Sequence, residues 1–222
     1  MTDDHGKKLA SGSVVFFALA VLLIGMYMAG KVEGMDQAGF ALAAGLRTEW
    51  LTAFFRALTN FGSAVVLAPL GAVLIIWLYA RKRRAESVAV LLTLGGGELL
   101  NEALKAVFAR ARPTVFHLIE VPDSFSFPSG HAMIAPAFYL LLAYLSSREY
   151  AGKTWVPILQ PLTCLFVVLL AASRVYLGVH FPSDVLTGFC FSLCGYFLVR
   201  YGYERHLARR HAPVRPLSVP RE

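Results

Sequence analysis

Charged residues are scarce in this chain. Of its 222 residues, 16% are Asp, Glu, Lys or Arg, whereas 57% are hydrophobic and the mean hydropathy is +0.58. Because soluble globular domains carry about 25% charged residues, this composition argues against an ordinary soluble domain. A helix that crosses a bilayer needs about 20 predominantly apolar residues, and the apolar runs here are long enough for several. The sequence therefore predicts an integral membrane protein.

Cysteine is nearly absent as well. The three cysteines, Cys164, Cys190 and Cys194, all lie inside apolar runs. Cys190 and Cys194 are one helical turn apart, which suits packing within a helix rather than a disulfide or a metal site. They give no information about the redox compartment.

Six apolar segments indicate the transmembrane helices of an all-α bundle. They cover residues 14–30, 63–80, 87–108, 131–145, 156–172 and 183–199. Without internal repeats, these segments form one domain over residues 14–204, flanked by a cytoplasmic N-terminus at 1–13 and a basic tail at 205–222. Lys7 and Lys8 precede the first segment as in a signal sequence, but no small-residue cleavage motif follows, so we expect an uncleaved helix.

The distribution of basic residues predicts the orientation of this bundle. Most Lys and Arg residues fall on the side of the N-terminus, which the positive-inside rule makes cytoplasmic. They are Lys7, Lys8, residues 81–84, Arg148, Lys153 and the arginines from Arg200 onward. Both termini are therefore predicted inside. The basic tail is explained by anionic lipid head groups, so we expect no nucleic-acid partner.

The segment between the first two spans, residues 40–61, is too polar to cross a bilayer. Its apolar residues recur at steps of three and four, at Leu46, Trp50, Phe54, Leu58 and Phe61. This spacing predicts an amphipathic helix that either lies in the outer interface or packs on the bundle. The sequence leaves both arrangements open.

Three polar segments stand out, each at the predicted outer end of a span. The first runs from Lys105 to Arg112 and Pro113. Because proline disfavours a helical conformation in the residue before it, both cations are expected near the membrane surface. Taken alone, such cations are usually snorkelling anchors.

The second segment is Pro128-Ser129-Gly130-His131, directly before an apolar run. It predicts a helix start that Ser129 can cap and whose free N–H groups can bind an anion. Gly130 would let a ligand approach the backbone closely. Taken alone, this is also consistent with a plain helix cap and an incidental histidine.

The third segment, residues 173–184, connects the fifth span to the sixth. Pro182 begins a helix and places Asp184 in its first turn, with His180 just before it. A carboxylate at that distance can fix one ring nitrogen of the histidine and leave the other as a nucleophile. Arg174 adds a planar fork that suits phosphate oxygens.

Together the three segments supply what phosphoryl transfer requires. Lys105, Arg112 and Arg174 can neutralise the phosphate oxygens, and two histidines can act as nucleophile and proton donor. No cluster of acidic residues accompanies them, which argues against magnesium or zinc chemistry. We therefore predict no metal and no cofactor.

Lys105-x6-Arg112-Pro113, Pro128-Ser129-Gly130-His131 and Ser173-Arg174-x5-His180-x3-Asp184 resemble the three signature motifs of the type 2 phosphatidic acid phosphatase superfamily. The resemblance implies six spans and a phosphohistidine mechanism. His180 would attack phosphorus, Asp184 would orient it, and His131 would protonate the leaving oxygen and then help to activate water. The phosphate would be held by Lys105, Arg112, Ser129, Gly130 and Arg174.

A further stripe lies on one face of the third span. Glu98, Asn101, Glu102 and Lys105 recur there at steps of three and four. Because ionisable residues within a span are candidates for function, we hypothesise that the stripe positions Lys105 or lines the substrate cavity. Its alternative is a charge-compensated stripe that only packs helices.

The resemblance also narrows the substrate. Membrane relatives act on lipid phosphates, and the short loops resemble bacterial phosphatases of undecaprenyl pyrophosphate and phosphatidylglycerophosphate. We predict undecaprenyl pyrophosphate, hydrolysed at the outer face of a bacterial inner membrane. The alternatives are a phosphatidylglycerophosphate, phosphatidate or broad-specificity lipid phosphatase, and a non-catalytic transporter or lipid-binding protein. Besides the lipid and the bilayer, no obligate protein partner is expected.

Overall fold

The described part of the chain, residues 3–210 of a computed structural model, is helical apart from its connections. The helices are α1 (Asp3–Met28), α2 (Glu33–Gly45), α3 (Glu49–Thr59), α4 (Ala64–Ala80), α5 (Arg84–Phe108), α6 (Gly130–Glu149), α7 (Val156–Tyr176) and α8 (Pro182–Arg210). A 3₁₀ turn, Asn60–Gly62, links α3 to α4. Residues 3–210 contain no β-strand, which confirms the predicted all-α class.

The predicted spans correspond to α1 and to α4 through α8. Five of these helices are long and apolar enough to cross a bilayer, namely α1, α5, α6, α7 and α8. The sixth, α4, has 17 residues, and with α3 and the 3₁₀ turn it forms a pair bent by 42°. Helix α1 extends through most of the predicted N-terminal segment, and α8 runs six residues into the predicted tail. Residues 211–222 of that tail lie outside the described residues.

Helix α6 forms the centre of the bundle, because α5, α7 and α8 all pack against it. Phe138 and Leu141 on this helix are completely buried, as is Leu170 on α7. The helices around it expose apolar side chains such as Val65 and Leu99. In water these residues would be unfavourable, so their exposure fits a surface covered by lipid.

The amphipathic helix predicted between the first two spans is present as α3, but its bounds differ from residues 40–61, because the chain forms two helices there. They are separated at Thr48, which adopts an extended conformation and accepts a hydrogen bond from Leu51 N–H as the N-cap of α3. The predicted apolar stripe is also mostly exposed: Trp50 is 74% exposed, whereas Phe55 and Leu58 pack on the bundle. Helix α3 therefore packs on the bundle through Phe55 and Leu58, and Trp50 and Phe54 of the predicted stripe stay outward.

A connection without helix, residues 109–129, crosses the end of the bundle between α5 and α6. Helix α5 ends at Phe108, where Ala109 takes a left-handed conformation, so Pro113 is not what stops it. The connection is held to the α7–α8 turn by a backbone hydrogen bond of 3.0 Å from Leu118 to the Leu177 carbonyl. Gly178 permits this contact, because its φ is +78° and a Cβ there would collide with the Phe116 carbonyl. The two cations of the connection contact this region: Arg110 bonds to Asp184 at the start of α8, and Arg112 bonds to the Val179 carbonyl in the α7–α8 turn.

The opposite end of the bundle carries the basic residues that predicted its orientation. There Arg83 at the start of α5 lies 3.1 Å from Glu149 at the end of α6. His5 of α1 lies 2.9 Å from Glu204 of α8. These contacts join α5 to α6 and α1 to α8 at the end farthest from the three motifs.

Candidate active site

A cavity of about 350 Å³ lies where α5 ends and α6 and α8 begin. The predicted site residues that line it are Glu98, Asn101, Lys105, Arg112, Gly130, His131, Arg174 and His180. Ser129 and Asp184 are completely buried beside it, and the Glu102 side chain is 56% exposed. The fold thus brings the three motifs, which are far apart in sequence, to one cavity.

The two ring nitrogens of His180 have different partners. Nδ1 lies 2.8 Å from the backbone carbonyl oxygen of Ser126, which can only accept a hydrogen bond, so Nδ1 carries the proton. Nε2 lies 3.1 Å from Nη1 of Arg112, which can only donate. Nε2 is therefore unprotonated, as a nucleophile requires, and its lone pair accepts a hydrogen bond from Arg112, which lines the same cavity.

The carboxylate of Asp184 supports His180 less directly than predicted. Its Oδ2 lies 3.4 Å from Nδ1, longer than the bond from Nδ1 to the Ser126 carbonyl. Oδ2 instead accepts hydrogen bonds from the Ser126 hydroxyl and, at 3.0 Å, from the Phe181 N–H. Oδ1 accepts from Arg110. Ser126 is thus the residue that joins the carboxylate to the imidazole.

Sequence reasoning assigned no role to Ser126 or Arg110. Ser126 acts on the histidine through its backbone carbonyl, which leaves no signature in the residue type. Arg110 stands two residues before Arg112. Its charge was evident from the sequence, but the direction in which its side chain points was not. The left-handed Ala109 turns it toward Asp184 while Arg112 faces the cavity.

Burial and nearby cations keep His180 neutral. His180 lies in the connection between α7 and α8 and is 2% exposed. Burial, and then the positive charges of Arg174 and Arg112, lower the pKa of His180 well below its ordinary value of 6.5. Burial also lowers the pKa of Arg112, opposed by the carboxylate of Asp184. At neutral pH the imidazole is therefore an uncharged base.

Helix α3 and the 3₁₀ turn cover the other histidine. Nη1 of Arg174 donates to Oγ1 of Thr59 at 2.7 Å, and His131 donates to the backbone carbonyl of the same threonine. Gly62 packs against the ring, since a Cβ there would lie 2.7 Å from Cδ2 of His131. Thr59, which sequence reasoning did not identify, therefore fixes both a predicted phosphate ligand and a predicted proton donor.

Ser129 does not cap α6 with its side chain, contrary to the prediction. Its N–H donates to the Asp184 carbonyl at 3.1 Å, so this N–H is not free for an anion. Within the described residues, two buried polar atoms have no hydrogen-bond partner: Oγ of Ser129 and Nε of Arg174. Because buried polar groups are nearly always paired, both are suited to bind a ligand in the cavity.

The stripe on α5 divides into two parts. Nζ of Lys105 pairs with Oε1 of Glu102 at 2.9 Å, so the exposed glutamate positions the lysine. Asn101 lines the cavity and donates to the Pro128 carbonyl at 3.3 Å, next to Gly130. Glu98 also lines it and has no hydrogen bond or ion pair with the described residues. The hypothesis that this stripe serves the cavity remains a prediction in terms of activity.

The groups around the cavity suit an anion with tetrahedral oxygens. Three cations and two unpaired donors can neutralise and hold a phosphate, and two imidazoles are available for bond making and proton transfer. Within residues 3–210, no group of three or more His, Cys, Asp or Glu side chains is placed to hold a metal ion. A metal-independent reaction remains a prediction, to be tested with a chelator.

Known proteins resemble this chain in both sequence and structure. A family profile described as the PAP2 superfamily matches residues 86–207. Phosphatidylglycerophosphatase B of Bacillus subtilis is 32% identical over 200 residues, which is 88% of this chain and 96% of the relative. An undecaprenyl-diphosphatase of Sulfolobus acidocaldarius is 32% identical over 136 residues, 59% and 60% of the two chains. The solved transmembrane PAP2-type phosphatidylglycerolphosphate phosphatase of Bacillus subtilis superposes with a TM-score of 0.79 at 32% identity, covering 88% of this chain and 97% of that one.

All three motifs lie within the segment that the family profile matches. The likeness to the Bacillus subtilis proteins also covers nearly their whole length. These findings decide against the transporter and lipid-binding interpretations considered from the sequence. The chain belongs to the PAP2 superfamily and is a membrane phosphatase.

Proposed function

We propose that this protein hydrolyses a lipid phosphate through a phosphohistidine on Nε2 of His180, and that undecaprenyl pyrophosphate is its principal substrate. The observation that carries the mechanism is the pair of contacts made by the His180 ring. The Ser126 carbonyl holds the proton on Nδ1, and Nε2 carries an unprotonated lone pair that accepts a hydrogen bond from Arg112, a donor that a bound phosphate would take over. A neutral, fixed imidazole next to a cation is what attack on a phosphate requires.

In the first half of the proposed reaction, Nε2 of His180 attacks phosphorus and the bond to the leaving oxygen breaks. Arg112, Arg174 and Lys105 neutralise charge on the phosphoryl oxygens. The unpaired Oγ of Ser129 and Nε of Arg174 donate to the same oxygens. His131, in its protonated form, donates a proton to the leaving oxygen.

In the second half, His131 takes a proton from water, and the resulting hydroxide attacks the phosphohistidine. The bond between phosphorus and Nε2 breaks, which releases phosphate and restores the neutral imidazole. Asp184, through Ser126, stabilises the positive charge that the ring carries while it is phosphorylated. This role is weaker than that of a carboxylate in direct contact, because Oδ2 lies 3.4 Å from Nδ1.

The choice of lipid is supported by charge and by the relatives. Three cations face the cavity, and a pyrophosphate carries more negative charge to neutralise than a monoester does. The relative from Sulfolobus acidocaldarius is named as an undecaprenyl-diphosphatase. We further propose that the cavity opens on the outer face of a bacterial inner membrane, as the distribution of basic residues indicates.

Phosphatidylglycerophosphate is the second candidate, and a different observation favours it. The relative that this chain matches over 96% of its length is named phosphatidylglycerophosphatase B. The motifs contact the phosphate, which both lipids contain, so they do not discriminate between the lipid tails.

Phosphate release by the purified protein in detergent with EDTA tests the proposal. Wild type, His180→Ala and the control His117→Ala are compared on both lipids. His117 lies in the 109–129 connection and does not line the cavity; its ring donates to the Pro113 backbone carbonyl at 2.7 Å. We expect wild type and His117→Ala to release phosphate, and His180→Ala to lose at least about 1,000-fold in rate, as for other catalytic nucleophiles.

The outcomes separate the parts of the proposal. A faster rate on phosphatidylglycerophosphate would overturn the preference for undecaprenyl pyrophosphate. Full activity of His180→Ala would overturn the mechanism, and loss of wild-type activity in EDTA would overturn metal independence.

A further inference from the structure

The catalytic carboxylate is one end of a buried chain of charges that reaches helix α2. Oδ1 of Asp184 accepts from Nη1 of Arg110, and Nη2 of the same guanidinium lies 2.7 Å from Oδ2 of Asp36. Asp36 and Asp184 are 4% and 0% exposed, respectively. Because a charge is costly to bury without a partner, each member of this chain depends on the others.

Asp36 also holds the first turn of α8. Its Oδ1 accepts from the Ser183 N–H at 2.8 Å, and its Oδ2 accepts from the Ser183 hydroxyl at 2.9 Å. The first N–H groups of a helix have no partner within the helix, and a carboxylate there is stabilised by the helix dipole. Asp36 therefore fixes the start of the helix on which Asp184 stands.

The plane of Arg110 is fixed by aromatic rings. Its Cζ lies 3.8 Å from the ring centre of Phe181 and 4.8 Å from that of Tyr27 on α1. Such stacking restricts the orientation of the guanidinium, so that Nη1 meets Asp184 and Nη2 meets Asp36. Neither Arg110 nor Asp36 lines the cavity, and both are engaged in the contacts just described, so neither is placed to contact substrate.

The two oxygens of Asp184 have separate partners. Oδ1 is held by Arg110, whereas Oδ2 points toward Ser126 and the His180 ring. A carboxylate anchored at one oxygen cannot rotate away from the histidine it supports. The position of that support is thereby set from α2.

We propose that Asp36 and Arg110 are positioning residues for the His180–Asp184 pair, and that α2 is thereby a required support of the active site. This inference rests on the proposed function in that His180 is taken as the nucleophile. It predicts that both residues affect turnover and leave substrate binding unchanged.

The test compares Asp36→Asn, Arg110→Gln and Arg110→Lys with wild type. Glu33→Gln is the matched control, because Glu33 lies on the same helix but is exposed. For the folded, monodisperse fraction of each protein, kcat, KM and inhibition by inorganic phosphate are measured on whichever lipid wild type hydrolyses. Inorganic phosphate, the product, meets the phosphate ligands without forming a bond to His180.

We expect kcat of Asp36→Asn and Arg110→Gln to fall by about ten- to 100-fold, the range for misplacement of a catalytic group by roughly 1 Å. KM and the inhibition constant for inorganic phosphate should stay within about twofold of wild type, because neither residue reaches the cavity. Arg110→Lys should recover part of the loss by restoring the charge.

Wild-type kcat in folded Asp36→Asn and Arg110→Gln would overturn the inference, as would a loss expressed only in KM. If Arg110→Gln does not fold, Asp36→Asn and Arg110→Lys, which keep the bulk of the side chain, decide the matter by the same criteria. Inactive wild type would instead count against the proposed function.

Discussion

At the scale of single residues, His180 shows how position sets reactivity. Nδ1 donates its proton to a backbone carbonyl. Nε2 faces the Arg112 guanidinium, which is only a donor, so Nε2 carries no proton. The buried ring is surrounded by positive charge, which disfavours a second proton. The residue type alone would give an imidazole that is partly protonated near neutral pH.

The depressed pKa of His180 has a consequence for pH dependence. Above its pKa the ring is a free base that can attack, and below it Nε2 is protonated and attack stops. Because that pKa lies well below 6.5, we expect the rate to persist as the pH falls through 6.5 and to be lost only at lower pH. The measurement is kcat/KM against pH, corrected for titration of the substrate phosphate. A corrected acidic limb at or above pH 6.5 would contradict the expectation.

The residues of the site were mostly predictable because chemistry restricts their types. The cations and histidines in the three motifs were predicted and lie together at the cavity. Ser126, Thr59 and Asp36 were not predicted, since two of them act on the histidines through backbone carbonyls and the third acts at a distance in sequence. The expectation that Ser129 caps α6 failed because its side chain is left unpaired beside the cavity.

At the scale of elements, α3 and the following 3₁₀ turn do more than border the membrane. Sequence periodicity suggested one amphipathic helix over residues 40–61, but Thr48 begins a separate helix whose end covers His131. The Thr48 cap could have been recognised from its residue type. The face of α3 that packs on the bundle could not be predicted, because apolar residues occur on both faces and either face is stable against lipid.

Substitution of Gly62 tests this cover. A methyl group at position 62 would lie 2.7 Å from Cδ2 of His131 and 3.1 Å from Cδ2 of Leu170, so the imidazole must move. We expect Gly62→Ala to lower kcat by about 100-fold while the protein stays folded, because misplacement by about 1 Å suffices for such a loss. Gly45→Ala is the control, since a Cβ there meets nothing within 4 Å. Equal activity of the two variants in the phosphate-release assay would show that His131 is free to shift.

At the scale of the whole molecule, the two ends of the bundle differ in what their charged residues do. The cavity lies at one end, and the basic residues that join α5 to α6 and α1 to α8 lie at the other. The membrane helices α1 and α4 to α8 and their order were predictable, because runs of nearly 20 apolar residues are long signals. The folding of the 109–129 connection over the site was not, because it depends on a left-handed Ala109 and on Gly178.

The orientation in the membrane can be measured with single cysteines. In a variant whose three native cysteines are replaced by serine, Asp123→Cys lies in the 109–129 connection and Lys153→Cys lies between α6 and α7; both positions are exposed. With both termini inside, a membrane-impermeant maleimide should label Asp123→Cys in intact cells and Lys153→Cys only after permeabilisation. The reverse pattern would place the active site on the cytoplasmic side.

Two buried side-chain atoms, Oγ of Ser129 and Nε of Arg174, have no hydrogen-bond partner in the described part of the chain. A buried donor without a partner costs about 1–3 kcal/mol in stability, so the free enzyme is less stable than its packing allows. If the phosphate takes up both donors as proposed, the fold gives up some resistance to unfolding so that hydrogen bonds for the ligand are already in place.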